Sequence, residues 1–276
     1  MPTLSVILIT YNEEKNIERC LESVRWAGEI IVVDSFSTDR TVELAGRYTT
    51  NIIRHEYDGD IPQRQRGFER AKGDWLFYID ADEEVSGPLR EQIAAAINSA
   101  DAREGYSVPR KVSALGKWIG HGGWYPDYTF RLFRRDKYIV EPAEVHGGFS
   151  VRGDRGRLEG ELYHYTYGTI GQYISKMNDY TSLQVSGKLK DSPDLKAPLV
   201  KIVLSPLSHF LRKYISQRGY KDGFHGFLLA SLGAIYTLAL YAKIWEYRFR
   251  KQEGRGLLPP ITNVELQKRK RAAPAL

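Results

Sequence analysis

The fold of this 276-residue chain is decided by a stretch in which an apolar run passes directly into acids: Trp75-Leu76-Phe77-Tyr78-Ile79-Asp80-Ala81-Asp82-Glu83-Glu84. The apolar run before Asp80 predicts a buried strand. Ligands of parallel α/β sheets bind outside the carboxyl ends of the strands, so the acids occupy the place of a binding site. Clustered carboxylates repel one another unless a cation lies among them, and hard divalent ions take oxygen ligands and bridge to phosphates. The stretch therefore predicts a metal–phosphate site; the alternative is a solvated helix start whose acids face the helix dipole.

The sequence before this stretch repeats a strand–helix rhythm. Strand-like runs cover residues 4–10, 29–34 and 51–54, and apolar residues at helical spacing lie between them. This alternation predicts an α/β fold, Rossmann-like, with a mainly parallel sheet and helices on both faces. Asp34 ends the second strand, where a carboxylate can accept hydrogen bonds from a ribose or a base. Neither a Gly-x-Gly-x-x-Gly turn nor a P-loop occurs, which argues against a dinucleotide-binding fold and a P-loop enzyme.

The pattern of residues changes after residue 105. Short segments rich in Tyr, Trp, Val and Gly follow, and Tyr128, Phe130 and Leu132 alternate as in an antiparallel strand. A helix is predicted over 169–190. The single cysteine, Cys20, excludes an internal disulfide.

The formal charge of +6 is distributed unevenly. Met1 to Pro198 carries a net −4, whereas Leu199 to Leu276 carries a net +10. This asymmetry indicates that the last segment contacts nucleic acid or a membrane. The basic stretch has no nucleic-acid-binding motif, so a partner nucleic acid is not expected. A basic amphipathic segment favours contact with an anionic membrane surface, and the alternative is a helical pair that packs on the rest of the chain or forms a dimer.

The uncharged run within this basic segment covers residues 227–242 and has 16 residues. That length is below the roughly 18 residues expected of a membrane span, so an interfacial or buried helix is predicted. The cations Lys268-Arg269-Lys270-Arg271 belong to a tail that we expect to be flexible.

Four segments in order and spacing resemble the inverting GT-A glycosyltransferases of family 2. They are residues 5–13 (SVILITYNE), 31–41 (IVVDSFSTDRT), 63–75 with Gln63-Arg64 and Ala71-Lys72-Gly73-Asp74-Trp75, and 80–83 (DADE). Within that family the likeness is to the lipopolysaccharide core β-glucosyltransferases. That finer likeness depends on Val33-Asp34-Ser35, Glu144-Val145-His146, His164-Tyr165-Thr166 and the basic apolar C-terminus.

The resemblance implies a nucleotide-sugar donor, most often UDP-linked, and a divalent metal ion, Mg²⁺ or Mn²⁺. It implies that Asp82 holds the metal on the diphosphate, with His164 as a second candidate ligand. The remaining donor-site residues fall into three groups. Thr10, Tyr11, Glu13 and Asp34 would surround the base and ribose, Gln63 and Arg64 would lie near the nucleotide and sugar, and Asp80 would contact ribose or sugar.

Inversion requires a general base, usually a carboxylate, for the attacking acceptor hydroxyl. The candidates are Asp127, Glu141, Glu144, Glu159 and Glu161, and the family-like Glu144-Val145-His146 favours Glu144; the alternative is an exposed loop carboxylate. His146 is a candidate for contact with the diphosphate, and either histidine is otherwise a structural residue. Trp124 and Tyr125 are candidates for an acceptor platform, although aromatic residues more often belong to the core.

The resemblance divides the chain into a nucleotide-sugar-binding half (1–105), an acceptor-binding half with a following helix (106–197), a basic membrane-surface segment (198–252) and a basic tail (253–276). The predicted activity transfers glucose from UDP-glucose to a lipid-linked saccharide such as the lipopolysaccharide inner core. The enzyme would lie peripherally on the cytoplasmic face of the inner membrane. The alternatives are a polyprenyl-phosphate sugar synthase and a non-catalytic nucleotide-sugar-binding or scaffold protein.

Overall fold

A computed structural model describes residues 1–141, 148–192, 195 and 197–253. The chain forms two compact units, Met1–Val112 with Pro126–Thr166, and Ser113–Tyr125 with the segment from Tyr167 onward. The strands are β1 Leu4–Thr10, β2 Glu29–Asp34, β3 Ile52–Arg54, β4 Trp75–Asp80, β5 Glu83–Val85, β6 Gly105–Ala114, β7 Lys117–Trp118, β8 Asp127–Arg134, β9 Tyr138–Glu141, β10 Gly148–Val151, β11 Arg155–Arg157 and β12 Leu162–Tyr167. The helices are α1 Ile17–Ser23, α2 Thr41–Ala45, α3 Asp60–Arg70, α4 Gly87–Asn98, α5 Ile170–Asp191, α6 Leu199–Leu211 and α7 Phe224–Gln252, with a π-helical turn Arg212–Ser216 and a 3₁₀ helix Gly219–Asp222 before α7.

The first unit is built on a mixed sheet. Strands β3, β2, β1 and β4 lie side by side and parallel, which confirms the predicted arrangement for this half. Beyond β4 the sheet continues with β8 antiparallel to β4 and β6 antiparallel to β8. The parallel expectation thus applies to the first four strands, and the strand predicted from Tyr128, Phe130 and Leu132 is part of β8.

Both faces of the parallel strands are buried because helices cover them. Side chains of β1 alternate: Val6 and Leu8 join a core with α1, α2 and α4, whereas Ile7 joins a second core with α3. This explains why β1 and β2 are apolar runs without polar alternation. Gly67 of α3 lies so close to β1 that an added Cβ would come within 2.4 Å of Ile7 Cγ2.

The register of the parallel strands aligns their carboxyl ends. Thr10 pairs with Asp34, Asp34 pairs with Arg54, and Ile9 pairs with Asp80. The last residues of the four strands therefore form one row at a single edge of the first unit. The predicted donor-site residues Thr10, Tyr11, Glu13, Asp34, Gln63, Arg64, Asp80 and Asp82 lie on this row or in a loop or helix that follows it, whereas His164 lies in β12.

The second unit is mainly helical. Thr169 caps α5 in a capping box with Gln172, so the predicted helix begins where expected. Asp222, at the end of the 3₁₀ helix, is buried and accepts hydrogen bonds from the backbone N–H groups of Gly120 at 3.2 Å and His121 at 2.8 Å. These bonds hold the loop that continues into Trp124 and Tyr125.

The long helix α7 passes the length and composition test for a membrane span. It has 29 residues, its most apolar window has a mean hydropathy of 1.6, and 22% of that window is buried within the protein. The uncharged run of 227–242 is only the centre of this helix. The expectation of a segment too short to span is therefore wrong for the helix as a whole.

Candidate active site

The carboxylate of Asp34 anchors the loop that follows β2. Asp34 is fully buried and accepts hydrogen bonds from the backbone N–H of Ser37 at 3.0 Å and from the Ser37 hydroxyl. The guanidinium of Arg54 lies 3.6 Å away. Ser37 therefore binds the Asp34 carboxylate and does not cap α2. That helix begins at Thr41, without a side-chain cap.

The loop after β1 is tied to the loop after β2. The backbone N–H of Asn12 donates to the Ser37 hydroxyl at 2.9 Å, and the Asn12 side-chain oxygen accepts from Thr38 N–H at 2.8 Å. Glu13 N–H donates to the Thr41 hydroxyl at 2.7 Å, and the Glu13 carboxylate accepts from Asn16. These bonds fix the loop that carries Tyr11 and Glu13 beside the loop that follows Asp34.

Gln63 positions two loops of the site. Its side chain is fully buried, and its Nε2 donates to the Ser35 hydroxyl at 3.1 Å and to the Glu56 carbonyl at 2.9 Å. The loops after β2 and β3 are thereby joined through α3. In this geometry Gln63 holds these two loops in place, while its neighbour Arg64 reaches the acidic stretch.

Two of the four clustered carboxylates are neutralised by arginines of the chain itself. Asp80 lies 2.5 Å from Arg64 and 3.1 Å from Arg131, and the fully buried Glu83 lies 2.7 Å from Arg131. Burial alone would raise the pKa of Asp80, but the two guanidinium groups outweigh it and hold that pKa well below its usual range. Burial raises the pKa of Glu83 despite the opposing attraction of Arg131. The alternative of a solvated helix start is ruled out, because Glu83 and Glu84 lie in strand β5 and Glu83 is fully buried.

The other two carboxylates have different partners. Glu84 accepts a hydrogen bond from the Tyr165 hydroxyl at 2.8 Å and lies 3.8 Å from Arg19; burial and that hydrogen bond raise the pKa of Tyr165 to about 12. Asp82 faces the imidazole of His164 at 3.3 Å. The two residues that the resemblance implied as metal ligands are therefore adjacent.

The donor set of this pair fits a divalent ion that also binds phosphate. One carboxylate and one imidazole supply an oxygen and a nitrogen, and Mg²⁺ or Mn²⁺ in phosphate sites takes few protein ligands. Among the described residues no group of three or more His, Cys, Asp or Glu side chains is placed to hold a metal by itself. The remaining ligands would have to come from water and from the substrate.

Arg131 and Arg110, which lie close to the buried carboxylates, are not predicted from the sequence as site residues. Arg131 is 4% exposed and lies over the ring of Tyr78, and Arg110 joins Asp127 at 2.6 Å while lying 3.8 Å from Glu83. A signal for Arg131 does exist, since a cation between Phe130 and Leu132 in an apolar strand must find a buried partner. Nothing local in the sequence indicates which carboxylate that partner is.

The base candidates divide into described and undescribed residues. Glu144 and His146 lie outside the described residues. Asp127 pairs with Arg110, Glu141 lies 3.9 Å from Arg155, and Glu161 lies 3.0 Å from Lys111. Glu159 accepts a hydrogen bond from Tyr128. Trp124 and Tyr125 are half-buried in the second unit, after two glycines with positive φ.

A row of parallel strands with polar loops at its carboxyl edge, an acidic stretch after the fourth strand and an antiparallel continuation define a GT-A fold. Residues 5–152 match the model of the family described as Glycosyl transferase family 2. The lipopolysaccharide core biosynthesis glycosyltransferase LpsC of Rhizobium meliloti is 31% identical over 88% of this chain and 92% of its own length. The uncharacterized glycosyltransferase RT0209 of Rickettsia typhi is 26% identical over 91% of this chain and 90% of its own. This chain therefore belongs to glycosyl transferase family 2 and is a glycosyltransferase.

Solved structures of similar proteins include the mannosyltransferase PcManGT from Pyrobaculum calidifontis in complex with GDP-Man and Mn²⁺. It superposes with a TM-score of 0.46 at 18% identity, over 98% of this chain and 80% of that chain. The structure of S. aureus TarS 1-349 in complex with UDP-GlcNAc superposes with a TM-score of 0.45 at 15% identity, over 95% of each chain.

Proposed function

We propose that this glycosyltransferase moves a hexose, glucose from UDP-glucose, onto a lipid-linked saccharide such as the inner core of lipopolysaccharide. The observation that carries the proposal is the match to LpsC, which extends over nearly the full length of both chains and thus includes the helical second unit. LpsC is a glycosyltransferase of lipopolysaccharide core biosynthesis. The acceptor of such an enzyme is anchored in a lipid, which accords with the basic C-terminal segment.

The donor would bind along the carboxyl row of the parallel strands. Asp34 is the buried acceptor that suits a ribose or a base, and the bonds through Ser37 and Asn12 keep its loop in one conformation. Preorganised loops of this kind lower the entropy cost of binding a flexible nucleotide. Thr10, Tyr11 and Glu13 would line the same subsite, and Arg64 would lie beside the sugar.

Asp82 and His164 would hold the divalent ion together with the diphosphate. Bound there, the ion would offset the negative charge that develops on the leaving diphosphate. Asp80 and Glu83 are already neutralised by Arg64 and Arg131, so their role in this proposal is to fix the strand ends around Asp82. In this proposal Asp82 binds the metal ion, and Asp80 and Glu83 stabilise the local structure around it.

Glu144 would take the proton of the acceptor hydroxyl. Among the other candidates, Asp127 and Glu161 are already ion-paired, with Arg110 at 2.6 Å and with Lys111 at 3.0 Å. The transition state is expected to resemble an oxocarbenium ion, as in glycoside hydrolysis. A positioned carboxylate contributes roughly 10²–10⁴-fold to such a step.

The enzyme would lie peripherally on the cytoplasmic face of the inner membrane. Helix α7 packs along α5, and Lys243 within α7 donates to Asn178, Thr181 and Ser182 of α5, each at 2.8 Å. Helix α5 carries several charged residues, so it would have to enter the bilayer with α7 or lose these bonds. Packing of α7 on α5 within the second unit is thus favoured over a membrane span.

The decisive experiment measures UDP release from UDP-glucose with Mg²⁺ or Mn²⁺ and a lipid-linked saccharide acceptor. Glu144→Gln should lower kcat about 100-fold or more and leave UDP-glucose binding unchanged, because only the proton acceptor is lost. The matched control is Glu141→Gln, which removes a partner of Arg155 and should retain activity. A polyprenyl-phosphate acceptor needs little base catalysis, so intact activity of Glu144→Gln with such an acceptor would select that alternative. The absence of UDP release with every acceptor tested would instead indicate a non-catalytic protein.

A further inference from the structure

Helix α6 exposes an unusually apolar face. All of its residues are described, and none of them is buried. Leu199 is 74% exposed, Val203 59% and Leu207 55%, and a total of seven large aliphatic side chains are exposed along α6 and the following turn: Leu199, Val200, Val203, Leu204, Leu207, Leu211 and Ile215. Their spacing places them on one broad side of the helix. Such a contiguous apolar surface marks a site of interaction with a protein or a membrane.

A polar stripe runs beside this face. Lys201, Ser205, Ser208 and Arg212 follow one another at intervals of four, three and four residues, which places them on one side of the helix. They line a cleft of about 380 Å³ together with His209 and with Thr237 of α7. Two cations, two hydroxyls and an imidazole are groups that bind a phosphate, and the aliphatic Val200 and Leu204 line the same cleft.

The charge around the cleft has one sign. Residues 199–221 contain five Lys or Arg residues and no Asp or Glu. The first acid after them, Asp222, is buried and engaged by the loop of Gly120 and His121. The surface is therefore complementary to an anion, and its aliphatic neighbour is complementary to hydrocarbon.

We propose that α6 is the element that docks this enzyme on an anionic phospholipid bilayer, with a headgroup phosphate held in the cleft of Lys201, Ser205, Ser208 and Arg212. The aliphatic face then lies at the level of the acyl chains, and the cations lie among the headgroups. The inference rests on the proposed function in one respect, that the acceptor is lipid-linked and the enzyme must work at its surface. It adds which helix makes the contact and which chemical group it binds.

A second copy of the chain is a poorer occupant of this face. In an isologous dimer the same patch meets itself, so Lys201 and Arg212 of the two copies would be brought into one interface. The segment 199–221 offers no acid to compensate them. A phospholipid surface supplies the missing negative charge.

The test uses the full chain and flotation with vesicles of phosphatidylcholine alone or with added phosphatidylglycerol. The wild type should bind only the anionic vesicles. Lys201→Ala with Arg212→Ala should lower the partition coefficient roughly 30-fold, since each cation near an anionic surface adds to the attraction. Val203→Asn with Leu207→Asn should lower it about tenfold or more, because two aliphatic side chains no longer enter the hydrocarbon.

Two matched variants control for charge and for exposed aliphatic area. Lys15→Ala with Lys72→Ala removes two exposed lysines of the first unit, and Ile170→Asn with Ile174→Asn removes two exposed aliphatic residues of α5. Both should bind vesicles within about twofold of the wild type, as surface substitutions away from a binding site usually do.

Equal binding of the wild type to neutral and anionic vesicles would overturn docking on an anionic surface, and equal loss in the controls would overturn the assignment to α6. Light scattering tests the alternative of a dimer. If Val203→Asn with Leu207→Asn converts a dimer to a monomer and leaves vesicle binding intact, the aliphatic face of α6 is a dimer interface and the proposal is overturned. UDP-glucose binding by calorimetry is measured on the same samples. Absence of UDP-glucose binding by the wild type would contradict the proposed function alone. Variants of α6 that still bind UDP-glucose but no longer bind vesicles would support the docking role.

Discussion

The Nε2 atom of His164 lies 3.3 Å from an oxygen of Asp82. The two residues are brought together because β12 pairs antiparallel with β5, and the N–H of Tyr165 donates to the Asp82 carbonyl at 2.9 Å. Asp80, Glu83 and Glu84 each have an arginine within 4 Å, whereas Asp82 faces the imidazole. Asp82 is thus the member of the acidic stretch best placed for an external cation.

Asp82→Asn should abolish the metal dependence of donor binding. We expect the affinity for UDP-glucose in the presence of Mn²⁺ to fall by about 100-fold or more, since even groups that only support a metal ligand contribute about 10- to 100-fold. Calorimetric titration with Mn²⁺ and with EDTA measures the effect. Glu84→Gln is the control, because its carboxylate binds Tyr165 and should leave the metal dependence intact. Unchanged Mn²⁺-dependent binding by Asp82→Asn would contradict the assignment.

Arg131→Met should strongly destabilise the first unit. The substitution leaves the buried Glu83 without its 2.7 Å partner, and breaking a buried pair costs about 3–5 kcal/mol of unfolding free energy. Urea unfolding measures the loss. Arg103→Ala, which breaks an exposed pair with Asp154, should change stability by less than about 1 kcal/mol. Adding Glu83→Gln to Arg131→Met should recover part of the loss, and no recovery would indicate that packing of Arg131 on Tyr78 is the larger contribution.

Gly226→Ala should destabilise the second unit. An added Cβ would come within 1.8 Å of the Gly219 carbonyl oxygen, and backbone cannot move aside cheaply. Gly187 of α5 meets nothing within 4 Å, so Gly187→Ala should instead stabilise by up to about 1 kcal/mol through helix propensity. Thermal unfolding measures the two changes in Tm, which should have opposite signs. An unchanged or raised Tm of Gly226→Ala would argue against the close approach of Gly226 to Gly219.

The thiol of Cys20 should be unreactive in the folded protein. Cys20 is fully buried, and burial together with the charges of Glu83, Asp80 and Asp82 raises the pKa of the thiol well above its usual value. Because the thiolate is the reactive form, a raised pKa leaves the protonated thiol at neutral and mildly alkaline pH. A chromogenic disulfide reagent should therefore label Cys20 only after addition of denaturant. Rapid labelling of the native protein would contradict the burial of α1 on the sheet.

Much of the parallel half of the fold is predictable from the sequence because its signals are local. The bounds of β1 and β2, Leu4–Thr10 and Glu29–Asp34, are those of the apolar runs themselves. Asp34, Asp80 and Asp82 follow those runs directly, so their place at the carboxyl edge follows from strand direction alone. The helix of residues 169–190 is predicted nearly to its ends, since Thr169 and Gln172 form a capping box.

Only the tertiary structure decided which charges meet. The pairs Arg131–Glu83 and His164–Asp82 depend on β8 lying beside β4 and on β12 lying beside β5, and strand order and register are properties of the whole packed chain. The same holds for exposure: the composition of residues 198–252 predicts apolar helices, but only packing determines that six of the 29 residues of α7 are buried and that the aliphatic face of α6 lies in solvent. Short-range patterns determine where an element begins and which residues it carries, whereas long-range packing determines what those residues touch.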